Sequence, residues 1–307
     1  MKRFFERLYY YPKGLDYLLI ALLVPLSLLY GSYMLLRRLT AQKRAFGLPI
    51  VSVGNLVVGG SGKTPFVIAL ASRYENVAVV SRGYGRQSSG LVEVSRRGEV
   101  LVDVTQSGDE PMLMAQSLPN ASVIVSEKRE EAIALAKDNG AEVIILDDGF
   151  NRVNIEKYDI LLKPVSIPNT LPFPAGPLRE FSFSERFAHS VLQEERDFKR
   201  VVRVDPFEEK LLLVTAIANP SRLEPYLPEN VVGRFYLEDH AYFDECQLEE
   251  KMREVGADAL LVTQKDAVKM DTFKLPVVQM RLKLEIEDAI LQGIDSYIKK
   301  YKELHEE

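Results

Sequence analysis

Lys63 and Thr64 follow Gly62 in the stretch VVGGSGKTPF, residues 57–66. A lysine and a hydroxyl residue directly after a glycine-rich turn are the groups that hold a nucleoside triphosphate. The ammonium reaches the outer phosphates and the hydroxyl holds a magnesium ion. The candidate loop is Val57, Val58, Gly59, Gly60, Ser61, Gly62, Lys63 and Thr64. The pattern G-x-x-x-x-G-K-[ST] calls for glycine at its first position, where this chain has Val57, so it needs support from its surroundings. A second set is acidic. The stretch VIILDDGF ends an apolar run in Asp147 and Asp148. Carboxylates at a strand end can bind magnesium directly or through water, and two buried acids there are costly without a cation nearby. In SGDEPMLMA, Asp109 and Glu110 precede Pro111. They either cap the short helix that Pro111 opens or stand beside a magnesium phosphate, one serving as general base. His240, in EDHAY, is either structural or the partner of a carboxylate base. Arg82 and Tyr84, in RGYGR, meet phosphate or base, or merely close a tight turn.

These groups need elements that end where they stand. Before the loop, LPIVSVGN is an apolar, β-branched run that predicts a buried strand. After it, TPFVIALASRY carries Phe66, Ile68, Ala69 and Ala71 at helical spacing, with Pro65 in the first turn. Strand, turn and helix in that order aim backbone N–H groups at an anion. Further strand-like runs are VAVVS (77–81), SVIVS (122–126), EVIILDD (142–148) and DILL (159–162). Helical stretches lie between them; EKREEAIALAKDNG has Ser126 as its N-cap and Gly140 as its stop. The alternation predicts an α/β fold, a P-loop NTPase-like parallel sheet with helices on both faces, with ligands at the carboxyl ends of the strands. The proline-dense stretch 163–181, which contains Arg179 and Glu180, is a lid or a spacer. From about residue 205 a smaller α/β unit begins. The predicted partition is a membrane-associated segment over 1–45, a kinase core over 46–204 and a C-terminal α/β domain over 205–307.

The chain has 307 residues and a net charge of -5, unevenly spread. Residues 1–48 hold Lys2, Arg3, Arg7, Lys13, Arg37, Arg38, Lys43 and Arg44 against Glu6 and Asp16, which is +6, leaving -11 for the rest. A basic front on an acidic body points to an anionic surface. No basic stripe interleaved with aromatics follows, so nucleic acid is not the expected partner. Cys246 is the only cysteine, which rules out an internal disulfide and a cysteine zinc cluster. Residues 17–36, YLLIALLVPLSLLYGSYMLL, are of membrane-spanning length. No cleavage site follows, and both flanks are basic. The expected form is an embedded, non-crossing anchor, a hairpin or interfacial helix kinked at Pro25; a single span and a buried core helix are the alternatives.

SVGNLVVGGSGKTP, SRGYGR, GDEP, ILDDGF, FPAGPLRE, AIANPSRL, DHAYF and TQKDAVK occur in that order. Together they resemble the tetraacyldisaccharide 4'-kinase family of the lipid A pathway, from about residue 45 to 270. That family's loop also lacks the first glycine. The resemblance implies phosphorylation, by ATP with Mg2+, of the 4'-hydroxyl of a tetraacylated glucosamine disaccharide 1-phosphate, on the cytoplasmic face of the inner membrane. It implies Asp109 as general base, assisted by His240 from the other domain, so that the two meet only as the molecule closes around substrate. Asp147 and Asp148 become magnesium-side acids, and Ser61, Lys63 and Thr64 phosphate contacts. Tyr84, Glu110, Arg179 and Glu180 become further site residues. The family reads DDGFQH where this chain reads DDGFNR, so Asn151 keeps an amide one methylene shorter and Arg152 replaces histidine. The implied partners are the acylated lipid and the membrane surface, with no obligate protein partner. The rival functions are a membrane-anchored P-loop NTPase acting as a switch or cargo ATPase, and a non-catalytic adaptor.

Overall fold

The computed structural model of the chain describes residues 2–58 and 62–305. Two helices open it, α1 (Lys2–Tyr10) and α2 (Leu15–Thr40). Next come β1 (Ile50–Gly54), α3 (Lys63–Ala71), β2 (Val77–Ser81), β3 (Val92–Arg96), β4 (Glu99–Val100), α4 (Val104–Ser107) and α5 (Asp109–Ser117). Then follow β5 (Ser122–Val125), α6 (Arg129–Asp138), β6 (Val143–Asp147) and β7 (Tyr158–Lys163). After the proline-rich loop lie β8 (Ser190–Gln193), β9 (Phe198–Val204), β10 (Leu211–Thr215), β11 (Val231–Tyr236) and α7 (Glu245–Val255). The chain finishes with β12 (Ala259–Thr263), α8 (Gln264–Ala267), β13 (Val277–Ile286) and α9 (Asp288–His305). These elements gather into two compact units, each drawn from separate stretches. The first holds Met1–Val67, Glu142–Lys199 and Ile286–Glu307; the second holds Ile68–Ala141 and Arg200–Glu285.

In the first unit, β6, β1, β7 and β8 lie side by side and parallel, with Val53 of β1 opposite Asp147 of β6 and Ile160 of β7. All five residues of β1 are buried. A strand covered on both faces reads as an unbroken apolar run, which is why IVSVG is legible as a strand without alternation. Helix α9 covers part of this sheet, its Tyr297 hydroxyl donating to the Ile50 carbonyl at 3.3 Å.

Helix α2 runs as one 26-residue helix through Pro25, so the hairpin form is not adopted. Only 17% of its most apolar 18-residue window is buried, which also sets aside a core helix. Its buried residues are few: Asp16, Ser27, Gly31 and Met34. The Ser27 hydroxyl donates to the Pro172 carbonyl at 2.8 Å and accepts from the Ala175 N–H at 2.7 Å. At Gly31 a β-carbon would stand 2.7 Å from the Phe181 ring, so glycine lets that ring approach. The proline-rich loop is therefore the seat of α2, not a lid or a spacer. The outward face is an apolar stripe at three- and four-residue intervals: Leu15, Leu18, Leu22, Leu26, Leu29, Tyr33 and Leu36, all exposed.

The second unit holds strands in the orders β4-β3-β5-β2 and β11-β10-β12-β13-β9. β2 and β5 are parallel, as are β11, β10, β12 and β13 in turn. β3 runs antiparallel to β5 and to β4, a departure from an all-parallel reading. The β10 and β12 side chains fill both faces. Leu212, Val214, Leu260 and Val262 pack on one side with Leu248 and Met252 of α7, and Leu211, Leu213, Ala259 and Leu261 on the other. The α6 boundary differs from expectation. Lys128, not Ser126, occupies the N-cap, and the Ser126 hydroxyl accepts the Lys128 N–H at 3.1 Å in a turn ahead of the helix.

Candidate active site

The phosphate-loop candidates lie in the first unit. Gly59, Gly60 and Ser61 lie outside the described residues. Val57 is buried, and the Val58 N–H donates to the Pro177 carbonyl at 2.8 Å. Gly62 has φ +74°, a left-handed conformation that suits glycine. It leads into α3, whose first turn carries Lys63 and Thr64. The Lys63 ammonium donates to the Asn55 side-chain carbonyl at 3.1 Å and lies 3.5 Å from Asp148 Oδ1. Asn55, just past β1, is itself fixed by its amide donating to the Val57 carbonyl at 2.8 Å. Its role had no signal beyond its place between strand and loop.

The two aspartates of the ILDDGF stretch have different surroundings. Asp147 ends β6 and is buried. Asp148 has φ +53°, which takes the chain out of the strand. The Arg179 guanidinium donates to both Asp148 oxygens, at 2.9 and 2.7 Å. Burial pushes the Asp148 carboxyl up, but the Lys63 and Arg179 charges outweigh it and hold the group below its usual range. Asp148 thus faces two cations. Carboxylate and hydroxyl oxygens of the kind that Asp147 and Thr64 carry suit a hard divalent ion. Among the described residues no group of three or more acidic, histidine or cysteine side chains forms a self-sufficient metal site.

Glu180 is tied to helix α2. Arg38, in the last turn of α2, makes a two-pronged pair with it, at 2.9 and 2.7 Å, and both side chains are buried. The same guanidinium lies 4.2 Å from the centre of the Phe150 ring and donates to the Phe150 carbonyl at 3.1 Å. Arg37 donates to the Asn151 carbonyl at 2.5 Å. The basic flank of the apolar segment, whose sequence signal is that of a headgroup anchor, is turned inward. It braces the loop that follows the aspartates.

The second unit holds the acid–base candidates. Asp109 is the first residue of α5, whose N-cap is Gly108. Its carboxylate does not cap the helix; it takes the His240 Nδ1 at 2.9 and 3.0 Å. Both residues belong to the same compact unit and are in contact there, so they do not come from different domains. The reason is the interleaving of the chain, which folds residues 68–141 together with residues 200–285. His240 has φ +66° and donates its backbone N–H to the Ala216 carbonyl at 3.0 Å, just past β10. Tyr84 is exposed, its ring centre 6.1 Å from that of His240. Glu110 accepts from Lys265 at 3.1 Å. Lys265 and Lys269 each lie 3.7 Å from Asp109 Oδ2. Burial pushes the Asp109 carboxyl up, but the His240 hydrogen bond and the charges of Lys265, His240 and Lys269 overcome it and hold the group at about 2. Sequence reasoning missed both lysines. Their signal was the four-residue spacing in TQKDAVK after an apolar strand.

The arrangement offers, in one unit, a cation and hydroxyl at a helix start beside two strand-end acids. In the other it offers an ionised carboxylate backed by an imidazole. Residues 19–299 match the family described as LpxK, tetraacyldisaccharide-1-P 4'-kinase. A tetraacyldisaccharide 4'-kinase of Helicobacter pylori (strain HPAG1) is 48% identical, over 98% of this chain and 96% of that protein. One of Aliarcobacter butzleri is 43% identical over 97% of each. The chain is also similar to a crystal structure of the "apo" form of LpxK from Aquifex aeolicus in complex with ATP. The TM-score is 0.78 and the identity 28%, covering 91% of this chain and 99% of that one.

Proposed function

The chain belongs to the tetraacyldisaccharide-1-P 4'-kinase family, and on that premise we infer that it is an ATP-dependent lipid kinase of lipid A biosynthesis, transferring the γ-phosphoryl group to the 4'-hydroxyl of a tetraacylated glucosamine disaccharide 1-phosphate. The observation that carries this beyond nucleotide binding is the Asp109–His240 pair, at 2.9 Å. A nucleotide-binding adaptor has no need of such a base, and transfer to lipid rather than to water separates the kinase from a switch or cargo ATPase.

Phosphoryl transfer is mainly positioning and charge neutralisation. Lys63 neutralises the outer phosphates, and the first turn of α3 presents backbone N–H groups to them. Arg179 and Lys63 fix Asp148, which keeps the loop after β6 in place. Thr64 and Asp147 would hold a magnesium ion. That ion, when bound, adds charge neutralisation on the phosphate oxygens. Asp109 accepts the hydrogen bond of the incoming 4'-hydroxyl and orients its oxygen for attack. His240 is hydrogen-bonded to the same carboxylate and holds it in place for that contact.

The α2 helix supports a membrane-surface enzyme. Its apolar stripe faces outward, while Ser27 and Arg38 tie its other face to the proline-rich loop and Glu180. A helix tied to the body from Ser27 to Arg38, with its apolar stripe facing out, suits a position in one leaflet rather than across both. The body then lies on the cytoplasmic side, with the ATP. The test is an assay with labelled ATP, with and without the disaccharide lipid in detergent. Label appearing in the lipid is expected; hydrolysis unaffected by lipid, with no labelled lipid, would refute the kinase.

A further inference from the structure

Lys269 is the most enclosed cation near Asp109. Its side chain is 2% exposed, against 19% for Lys265. Its ammonium donates to the Ala241 carbonyl at 3.0 Å, immediately after His240. It also lies 3.7 Å from Asp109 Oδ2, 3.7 Å from Asp266 Oδ1 and 5.1 Å from the centre of the Phe243 ring. One charge therefore touches the carboxylate, the segment that bears the imidazole, and a third group, Asp266.

Asp266 is wholly buried and spans two strand ends. Its Oδ2 accepts from the Thr215 hydroxyl at 2.6 Å, at the end of β10, and from the Thr263 hydroxyl at 2.7 Å, at the end of β12. Its Oδ1 accepts the Ala216 N–H at 3.2 Å. Ala216 in turn receives the His240 backbone N–H. The position of His240 is thus set from both sides: through Ala216 by Asp266, and through Ala241 by Lys269. A buried lysine with no such duty would be costly, since an ammonium out of water must be repaid by close partners.

We propose that Lys269 is a positioning residue for phosphoryl transfer, clamping the 239–243 segment so that the His240 imidazole stays registered on the Asp109 carboxylate. This rests on the kinase reading above. The charged groups facing Asp109 within its unit are His240, Lys265 and Lys269, with Glu110, Asp239 and Asp266 as the anions around them. Lys265 differs in pairing with Glu110 and in feeling the His240 segment through the charge of Asp239, whereas Lys269 bonds to the backbone of that segment at Ala241. The two lysines carry equal charge at equal distance from Asp109. They differ in how they reach the histidine's segment: Lys269 by a backbone hydrogen bond, Lys265 by charge.

The experiment compares Lys269→Met with Lys265→Met in the full-length protein in detergent. The chain has only three histidines, so the His240 ring nitrogens can be assigned by NMR with a His240→Ala control. Lys269→Met is expected to lose the His240–carboxylate signature and to lower kcat roughly tenfold or more, with KM for both substrates within about twofold. Adding His240→Ala to Lys269→Met should then cost less than about threefold further, because the pair is already uncoupled. Lys265→Met should keep the His240 signature. A parental signature and full coupling to His240 in Lys269→Met would overturn the proposal. If that variant does not fold, Lys269→Arg decides. Its retained charge should preserve the signature and at least part of the His240 coupling, and loss of both in a folded Arg variant would count against the clamp. Failure of the parent protein to phosphorylate the lipid would refute the kinase reading, a separate result from a parent that transfers phosphate and a Lys269 variant that does so equally well.

Discussion

Asp147 and Asp148 are adjacent in sequence and held quite differently. Asp148 is paired with Arg179 and Lys63, and Asp147 closes the strand. Asp147→Asn is therefore expected to raise the magnesium concentration needed for half-maximal rate. Asp148→Asn should instead loosen Arg179 and weaken ATP affinity, with a smaller change in metal requirement. Magnesium titrations of both variants check this. Lys63→Ala should lower transfer roughly 100-fold or more by removing the cation on the outer phosphates. Asp109 adds a dependence of stability on acid. Its carboxyl is held at about 2 against an ordinary 3.8. A depressed value means the folded state favours the ionised form. That stabilisation is present above the ordinary value and is lost as pH falls through the folded one. It amounts to about 2 kcal/mol. Urea unfolding of the parent and of Asp109→Asn from neutral pH down should show this extra loss only in the parent. At this scale the types and places of the site residues were legible, because Lys63, Asp147 and Asp109 stand at element ends that composition reveals. Their partners were not. Asp109 to His240 and Arg38 to Glu180 span 131 and 142 residues, and no local pattern encodes such a pairing.

Among the elements, α2 joins the largest apolar surface to the most specific docking. Gly31 is the tight point. Gly31→Leu should drive the helix off Phe181 and cost about 1–3 kcal/mol through overpacking. A lowered melting temperature and faster protease cleavage within residues 163–181 are the readouts. The outward stripe is separable from this docking. Leu18→Glu with Leu22→Glu should release the protein from vesicles in flotation while leaving transfer to detergent-solubilised lipid within about threefold, since surface changes away from packing cost little. Retained flotation would move the membrane contact elsewhere. Most strands were legible at this scale because short β-branched runs such as VAVVS and SVIV are buried on both faces. The β3–β4 hairpin was not, since VEVSR and EV carry charge and lie partly in water. The role of 163–181 was also hidden: proline density announces an irregular path but not what the path supports.

In the whole molecule, the phosphate-loop residues and the Asp109–His240 pair belong to different compact units, each assembled from stretches far apart in sequence. The fold class followed from strand–helix alternation, but an interleaved chain cannot be divided by a single boundary, and this is why Asp109 and His240 read as members of different domains. The account depends on those two residues acting as one device. Kinetics of Asp109→Ala, His240→Ala and the double variant, measured as transfer of label from ATP to the disaccharide lipid with melting temperatures alongside, test it most directly. Each single substitution should lower kcat strongly with little change in KM for ATP, and the double variant should be scarcely slower than the poorer single one. Rate losses that multiply, accompanied by lowered melting temperatures, would contradict it and leave the pair a structural contact.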